Sequence, residues 1–108
     1  MKPAVRDFAI RDIGCIVCRE RGFGFVPAEK HHLLTTGRHG AGKRRGEAYT
    51  VGLCAYHHRG IGAPTAELGP SYAREPRRFR FLYSDYWLLA RQNELLAQWQ
   101  ANTIGNAA

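Results

Sequence analysis

The sequence has no apolar run that approaches the length of a membrane span, and Met1-Lys2-Pro3 leads into no signal-type apolar segment. We therefore expect a cytoplasmic protein. It contains only three cysteines, an odd number that cannot all pair in disulfides, and two of them form Cys15-x-x-Cys18. Metal ligation in a reducing cytosol fits this pattern better. With 108 residues, the chain is expected to form one domain that is helped by a metal staple.

Acidic residues are also scarce. Nine Asp and Glu face sixteen Lys and Arg, which gives a net charge of +7 and a pI near 9.8. This balance favours an anionic partner, most simply nucleic acid. Charge alone does not decide the matter, because many small basic proteins bind nothing specific.

The pattern of apolar residues divides the chain into four parts, at 1–13, 14–62, 63–101 and 102–108. Helical spacing of Val5, Phe8, Ala9 and Ile13 predicts an N-terminal helix from Ala4, ended by Gly14. The middle part holds the cysteine pairs, a glycine-rich loop at 20–27, and two candidate strands at 28–34 and 47–53. Between these strands lies a basic, glycine-rich loop at 35–46.

Two further helices are predicted after a loop at 61–71. Pro76 suits the first position of the earlier helix, which would turn Phe79, Leu82 and Tyr83 inward. Ser84-Asp85 predicts the start of a final helix that runs to about Ala101, with a frayed tail at 102–108. Its predicted apolar stripe, most simply core packing, consists of Leu88, Leu95, Leu96 and Trp99.

The two closely spaced ligand pairs predict one tetrahedral zinc site. Cys15 and Cys18 form the first pair, and Cys54 and His57 form the second. A hairpin folded between them would bring all four to one ion, with about 2.3 Å to sulfur and about 2.0 Å to nitrogen. The alternatives are incidental pairs of buried thiols or a redox centre, and the sequence lacks the strand–helix alternation of a thioredoxin. We assign the four residues to a closed, structural zinc site.

Three other histidines lie directly beside or between these ligands. His31 and His32 are expected on opposite faces of a strand. If His57 binds zinc from a helical turn, His58 points about 100° away from it. One imidazole from the strand and one from the helix would hold a divalent ion, and the remaining strand histidine would deprotonate a water. Doubled histidines are often inconsequential surface residues, but two doublets, one fused to a zinc pair, favour phosphodiester chemistry.

These motifs resemble those of the zinc-containing HNH (ββα-metal) nucleases. The residues that carry the resemblance are Cys15-x-x-Cys18, Glu29-Lys30-His31-His32 and Leu53-Cys54-x-x-His57-His58-Arg59-Gly60. More narrowly, residues 14–83 are similar to the recombination-enhancement (Ref-type) nucleases of phages, described as dependent on the RecA recombinase. The similar segments are Gly14-Cys15-Ile16-Val17-Cys18, Pro27-Ala28-Glu29 and Leu68-Gly69-Pro70-Ser71 ahead of Pro76 and Phe79.

The resemblance implies an α+β fold, with a small zinc-stapled ββα-metal (treble-clef-like) core between an N-terminal helix and C-terminal helices. It implies His32 as the general base, and His31 and His58 as ligands of the catalytic ion. The motif's middle asparagine would fall near Tyr49 but is missing, since no asparagine precedes Asn93. No histidine follows His58 either, which suggests a water-rich ion such as Mg²⁺, with Mn²⁺ as a substitute.

The sequence therefore predicts a metal-dependent DNA endonuclease of phage or prophage recombination, with DNA and a RecA-type filament as partners. Its setting would be the nucleoid of a bacterial host. Little base specificity is expected, because the candidate DNA contacts are phosphate-binding side chains, namely Arg38, Lys43, Arg44, Arg45 and Arg59. One alternative is a non-catalytic zinc module that only binds nucleic acid. Another is a protein-interaction adaptor that uses Trp87 and Trp99.

Overall fold

The computed structural model describes residues 1–34 and 46–103. Two short strands and five helices follow one another in an α+β arrangement. The first half contains helix α1 (Pro3–Ile13), helix α2 (Ile16–Glu20) and strand β1 (Glu29–His32). The second half contains a 3-10 turn (Glu47–Tyr49), strand β2 (Thr50–Leu53) and helices α3 (Ala55–Arg59), α4 (Pro76–Leu82) and α5 (Asp85–Thr103). Among these residues, no helix is both long and apolar enough to cross a membrane.

Helix α1 begins with proline at its first turn and ends at Gly14, as predicted. Gly14 adopts φ 86°, and a Cβ there would lie 2.7 Å from the Val26 carbonyl oxygen, so only glycine fits. The buried face differs from the expected one. Ala9 and Ile13 are buried, but Phe8 is 63% exposed, and the charged Arg6 takes a buried position instead.

Strands β1 and β2 form an antiparallel pair in which His31 lies opposite Val51 and His32 opposite Thr50. Because side chains alternate along a strand, Glu29 and His31 share one face of β1, and Lys30 and His32 share the other. The predicted separation of the two histidines onto opposite faces is therefore present. Strand β2 is buried along its whole length and lies at the centre of the core.

Helices α4 and α5 pack on this core and differ from prediction in two places. Phe79 and Tyr83 are buried as expected, but Leu82 is 45% exposed, so its inward assignment was wrong. On α5 the buried face also includes the polar Gln92, whose Oε1 accepts a 2.8 Å hydrogen bond from the Gly52 backbone N–H. Helix α5 continues to Thr103, past the predicted end at Ala101.

A single cluster of buried apolar residues among the described residues joins these elements. Its largest fully buried members come from strand β2 and from helices α1, α2, α4 and α5. They are Phe79, Ile10, Ile16, Leu53, Leu88, Val17 and Val51. The three cysteines belong to the same cluster. A metal bound to them would be part of the core.

Candidate metal centre and paired histidines

The four predicted zinc ligands come together in the structure. Cys15, Cys18, Cys54 and His57 are all buried, and their ligand atoms lie within 4.8 Å of one another. The Nδ1 atom of His57 is 3.7, 3.4 and 3.3 Å from the sulfurs of Cys15, Cys18 and Cys54. The sulfurs of Cys18 and Cys54 are 3.7 Å apart.

These separations fit a tetrahedral ion. Ligands at about 2.3 Å for sulfur and about 2.0 Å for nitrogen are separated by about 3.5–3.8 Å along the edges of a tetrahedron. The four donors leave no position for water or substrate. The residues present therefore fit zinc in a closed, structural site.

Each ligand pair is formed by the same local structure. Cys15 is the N-cap of α2 and Cys54 is the N-cap of α3. The Cys15 sulfur accepts from the Cys18 N–H, and the Cys54 sulfur accepts from the His57 N–H, both at 3.4 Å. Backbone donors at two helix starts favour thiolate sulfurs, the form that binds metal.

A hydrogen bond to the backbone fixes the orientation of the His57 imidazole. Its Nε2–H donates to the Leu68 carbonyl oxygen at 2.7 Å, which leaves Nδ1 for the metal. Burial alone would lower the pKa of His57, but its contacts with Cys15 and Cys54 raise it to about 9. Contacts with Cys15 and Cys18 lower the pKa of Cys54. Contacts with Cys15 and Cys54 raise the pKa of Cys18. The sulfurs thus compete for negative charge, which a bound cation would neutralise.

A second group forms beside the cluster, where β1 meets α3. The rings of His31 and His58 pack edge to face, with centroids 4.9 Å apart and planes at 70°. Nδ1 of His58 is 2.8 Å from the Oε1 atom of Glu29, so Nε2 is the nitrogen that can bind an ion. His31 is only 5% exposed, whereas His58 is a quarter exposed in its side chain. Strand and helix thus bring together the two imidazoles that the sequence predicts as ligands.

Tyr72 joins the paired histidines to the Cys3His cluster. The centroid of its ring lies 4.8 Å from that of the His31 ring, and its backbone N–H donates to the His57 carbonyl oxygen at 2.8 Å. The hydroxyl of Tyr56 holds the same loop by donating to the Gly69 carbonyl oxygen at 2.7 Å. The position of the paired histidines is therefore coupled to that of a zinc ligand.

His32 lies on the other face of β1, with a different set of neighbours. Its Nε2 is 3.3 Å from Oε1 of Glu47, and Nζ of Lys30 is 2.9 Å from Oε2 of the same carboxylate. Hydrogen bonds from Lys30, and then from His32, keep the pKa of Glu47 below its usual value. Glu47 therefore stays ionised and accepts from Nε2–H of His32, so Nδ1 is the ring nitrogen left to accept a proton.

The predicted DNA contacts divide into two groups. Arg38, Lys43, Arg44 and Arg45 lie outside the described residues. Arg59 is described, and it forms two hydrogen bonds with Glu29, from Nε at 2.6 Å and from Nη2 at 2.9 Å. This pairing lowers the pKa of Glu29, with Arg59 as its largest cause. The side chain of Arg59 remains 55% exposed.

Sequence reasoning missed three residues of this region. Glu29 begins the motif Glu29-Lys30-His31-His32, and a period of two places it on the His31 face of the strand, but the motif alone assigns it no role. Glu47 and Tyr72 carry no recognisable motif, and they reach the histidines only through tertiary packing.

A sequence model of the family described as recombination enhancement, RecA-dependent nuclease matches residues 4–98. This match covers most of the chain, and the protein belongs to that family. No curated protein and no solved structure matches the chain.

Proposed function

We propose that this member of the RecA-dependent nuclease family is a metal-dependent DNA endonuclease of the HNH type, with a ββα-metal (treble-clef-like) core stapled by zinc. The observation that carries the proposal is the 4.9 Å pairing of His31 with His58 next to the Cys3His cluster. A structural zinc site needs no such pair. Two imidazoles beside a carboxylate, reached by solvent through the partly exposed His58, offer nitrogen ligands for a second ion.

The catalytic ion would be held by His31 and the Nε2 atom of His58. Mg²⁺, or Mn²⁺ in its place, would complete its coordination with water and substrate oxygens. A divalent ion at this position supplies charge neutralisation of the scissile phosphate and of the leaving oxygen. Glu29 orients His58 through Nδ1, and Arg59 fixes Glu29 in turn.

His32 is the proposed general base. Nδ1 of its neutral ring accepts a proton from a water, and the resulting hydroxide attacks phosphorus while the bond to the 3′ oxygen breaks. The products are a 5′-phosphate and a 3′-hydroxyl. Glu47 accepts the Nε2–H bond and so performs the orienting task that the missing asparagine near Tyr49 would otherwise serve.

The substrate is proposed to be DNA bound through its phosphates, with Arg38, Lys43, Arg44, Arg45 and Arg59 as contacts. This mode gives little base specificity and a strong dependence on salt. The family description supports a role in recombination and a RecA filament as partner. The proposed setting is phage or prophage recombination in the bacterial cytoplasm, at the nucleoid.

A non-catalytic zinc module that binds nucleic acid is the second candidate. It is favoured by the placement of His32 on the face of β1 opposite His31, which separates the proposed base from the proposed ligands. The adaptor alternative loses its main feature, because Trp99 donates to Asp12 at 2.8 Å and Trp87 packs against the core.

Calorimetric titration with Mn²⁺, together with plasmid nicking in the presence of RecA, separates the two candidates. The endonuclease proposal expects one Mn²⁺ site that His58→Ala abolishes without loss of zinc, and nicking that requires added Mg²⁺ or Mn²⁺. DNA binding with neither Mn²⁺ binding nor nicking would select the module.

A further inference from the structure

Two aromatic side chains near the junction of α4 and α5 are almost fully exposed. Phe81 is 87% exposed and Tyr86 is 86% exposed, more than any other large apolar side chain among the described residues. Single exposed apolar residues are common, but two such rings close together in sequence and flanked by arginines are not explained by packing.

The rotation of α4 places arginines around Phe81. Phe79 is fully buried and fixes the inner side of the helix. With 100° between successive residues, Arg77 and Phe81 lie on the opposite side, and Arg78 and Arg80 flank them. All three arginines are exposed. We use the name α4 patch for the exposed residues Arg77, Arg78, Arg80 and Phe81 together with Tyr86, which follows as the second residue of α5.

Two acidic residues adjoin the α4 patch without cancelling its charge. Glu75 lies 3.4 Å from Arg78, but both side chains are about half or more exposed, so this ion pair is weak. Asp85 is partly buried at the start of α5, where burial raises its pKa and Arg80 opposes that shift. Three arginines therefore face two carboxylates, and the patch remains basic.

The α4 patch is continuous with the paired histidines. The guanidinium of Arg80 lies over the Tyr72 ring, 5.3 Å from its centroid, and Nη2 donates to the Tyr72 hydroxyl at 2.8 Å. The Tyr72 ring in turn packs against the His31 ring, with centroids 4.8 Å apart. The patch is therefore one side chain away from His31.

We propose that the α4 patch binds single-stranded DNA, with unpaired bases stacked on Phe81 and Tyr86 and phosphates held by the arginines. A duplex keeps its base faces covered and would leave both rings exposed, whereas an unpaired base gains from stacking on an aromatic ring. The proposal deepens the nuclease function above by naming the strand that the site receives. Binding is measured without cleavage, so the two proposals fail separately.

Fluorescence anisotropy without added Mg²⁺ tests the patch, using a labelled oligothymidylate and the same strand annealed to its complement. Wild type should bind the single strand more tightly, and Phe81→Ala should weaken that binding at least about fivefold, the lower end for loss of one stacked ring. Binding of the duplex should change little. Phe81 is too exposed for its truncation to unfold the protein, and melting curves verify this.

Phe8→Ala is the matched control, because Phe8 is a 63% exposed ring on α1. A preference of wild type for the duplex, or equal binding of the single strand by the Phe81→Ala and Phe8→Ala proteins, would overturn the proposal. The second result would favour a protein partner for the patch.

The salt dependence of single-strand binding tests whether the arginines contact phosphates. Arg80→Gln should reduce the slope of log K against log salt by about 0.7 for one lost phosphate contact on a single strand. Arg11→Gln, an exposed arginine in the last turn of α1, should leave the slope unchanged. Equal slopes for all three proteins would remove Arg80 from the binding surface. Binding through the patch without nicking in Mg²⁺ and RecA would refute the nuclease and keep the patch.

Discussion

The ring centroid of His31 lies 4.9 Å from that of His58, although His31 belongs to strand β1 and His58 to helix α3. The helix is held against the strand from both sides. Cys54 and His57 fix it to the metal cluster, and Glu29 of β1 bonds to Nδ1 of His58. The geometry of the proposed catalytic pair therefore depends on the Cys3His cluster.

Loss of zinc should unfold the core together with the histidine pair. Binding of a structural zinc contributes roughly 10–16 kcal/mol in small zinc domains, which is as large as the roughly 5–15 kcal/mol stability of a whole domain. We expect Cys18→Ser protein to lack stoichiometric zinc and to lose its cooperative melting transition. Metal analysis and circular dichroism check both. Wild type should show the same loss with a strong chelator and recover when zinc is restored, and unchanged melting without zinc would contradict the assignment.

Glu47 should act on cleavage by positioning His32. Removal of the carboxylate in Glu47→Ala frees the ring, and we expect nicking to fall by at least about tenfold, part of the roughly 10²–10⁴ that a general base contributes. Glu47→Gln keeps an oxygen that can accept the Nε2–H bond, so it should recover much of the rate. Equal rates for Glu47→Ala and wild type would exclude this role.

The pairing of Lys30 with Glu47 should make stability depend on pH. Lys30 keeps the pKa of Glu47 below its usual 4.5. A depressed pKa stabilises the fold above the unfolded value, and this contribution is lost as the pH falls through the folded value. Lys30→Met should therefore lower the melting temperature at neutral pH, and the difference from wild type should shrink below pH 4.5. A difference that is constant with pH would contradict the pairing.

Arg6 should be a main determinant of stability, because it ties three elements together inside the core. Its guanidinium donates to the Thr50 carbonyl oxygen at 2.7 Å, to the Thr50 hydroxyl at 3.1 Å and to Asn93 at 3.2 Å. Arg6→Met removes the donor to the buried Thr50 carbonyl oxygen, whereas the Thr50 hydroxyl keeps its 2.8 Å bond to the Glu47 carbonyl oxygen. The change should cost about 2 kcal/mol, within the roughly 1–3 kcal/mol for a buried group left without its partner. Arg11→Met on the exposed side of α1 is the control. Equal denaturation midpoints for the two variants would refute this role.

Local patterns predicted the parts of the fold that local chemistry decides. The helix start at Pro76 and the end of α1 at Gly14 follow from backbone restrictions of single residues. The meeting of His31 with His58 follows from strand alternation and helical rotation, once the ligand pairs are joined by a metal.

What the sequence did not predict depends on pairing between distant elements. Gln92 and Arg6 occupy buried positions because each satisfies a backbone group of β2, and hydrophobicity alone does not reveal such a partner. Leu82 is exposed because the helix ends there and Tyr83 takes the inward position. Tyr72 reaches His31 from a loop that zinc ligands anchor, so no spacing rule could have found it.

We propose that His32 is the base of a metal-dependent nuclease. It is tested most directly by nicking of a supercoiled plasmid in Mg²⁺, with and without a displacement loop formed by RecA. Wild type should nick the plasmid, and His32→Ala should lose at least about 10²-fold of that rate while zinc content and melting temperature stay unchanged. Equal nicking by His32→Ala, or none by wild type under either condition, would contradict the account.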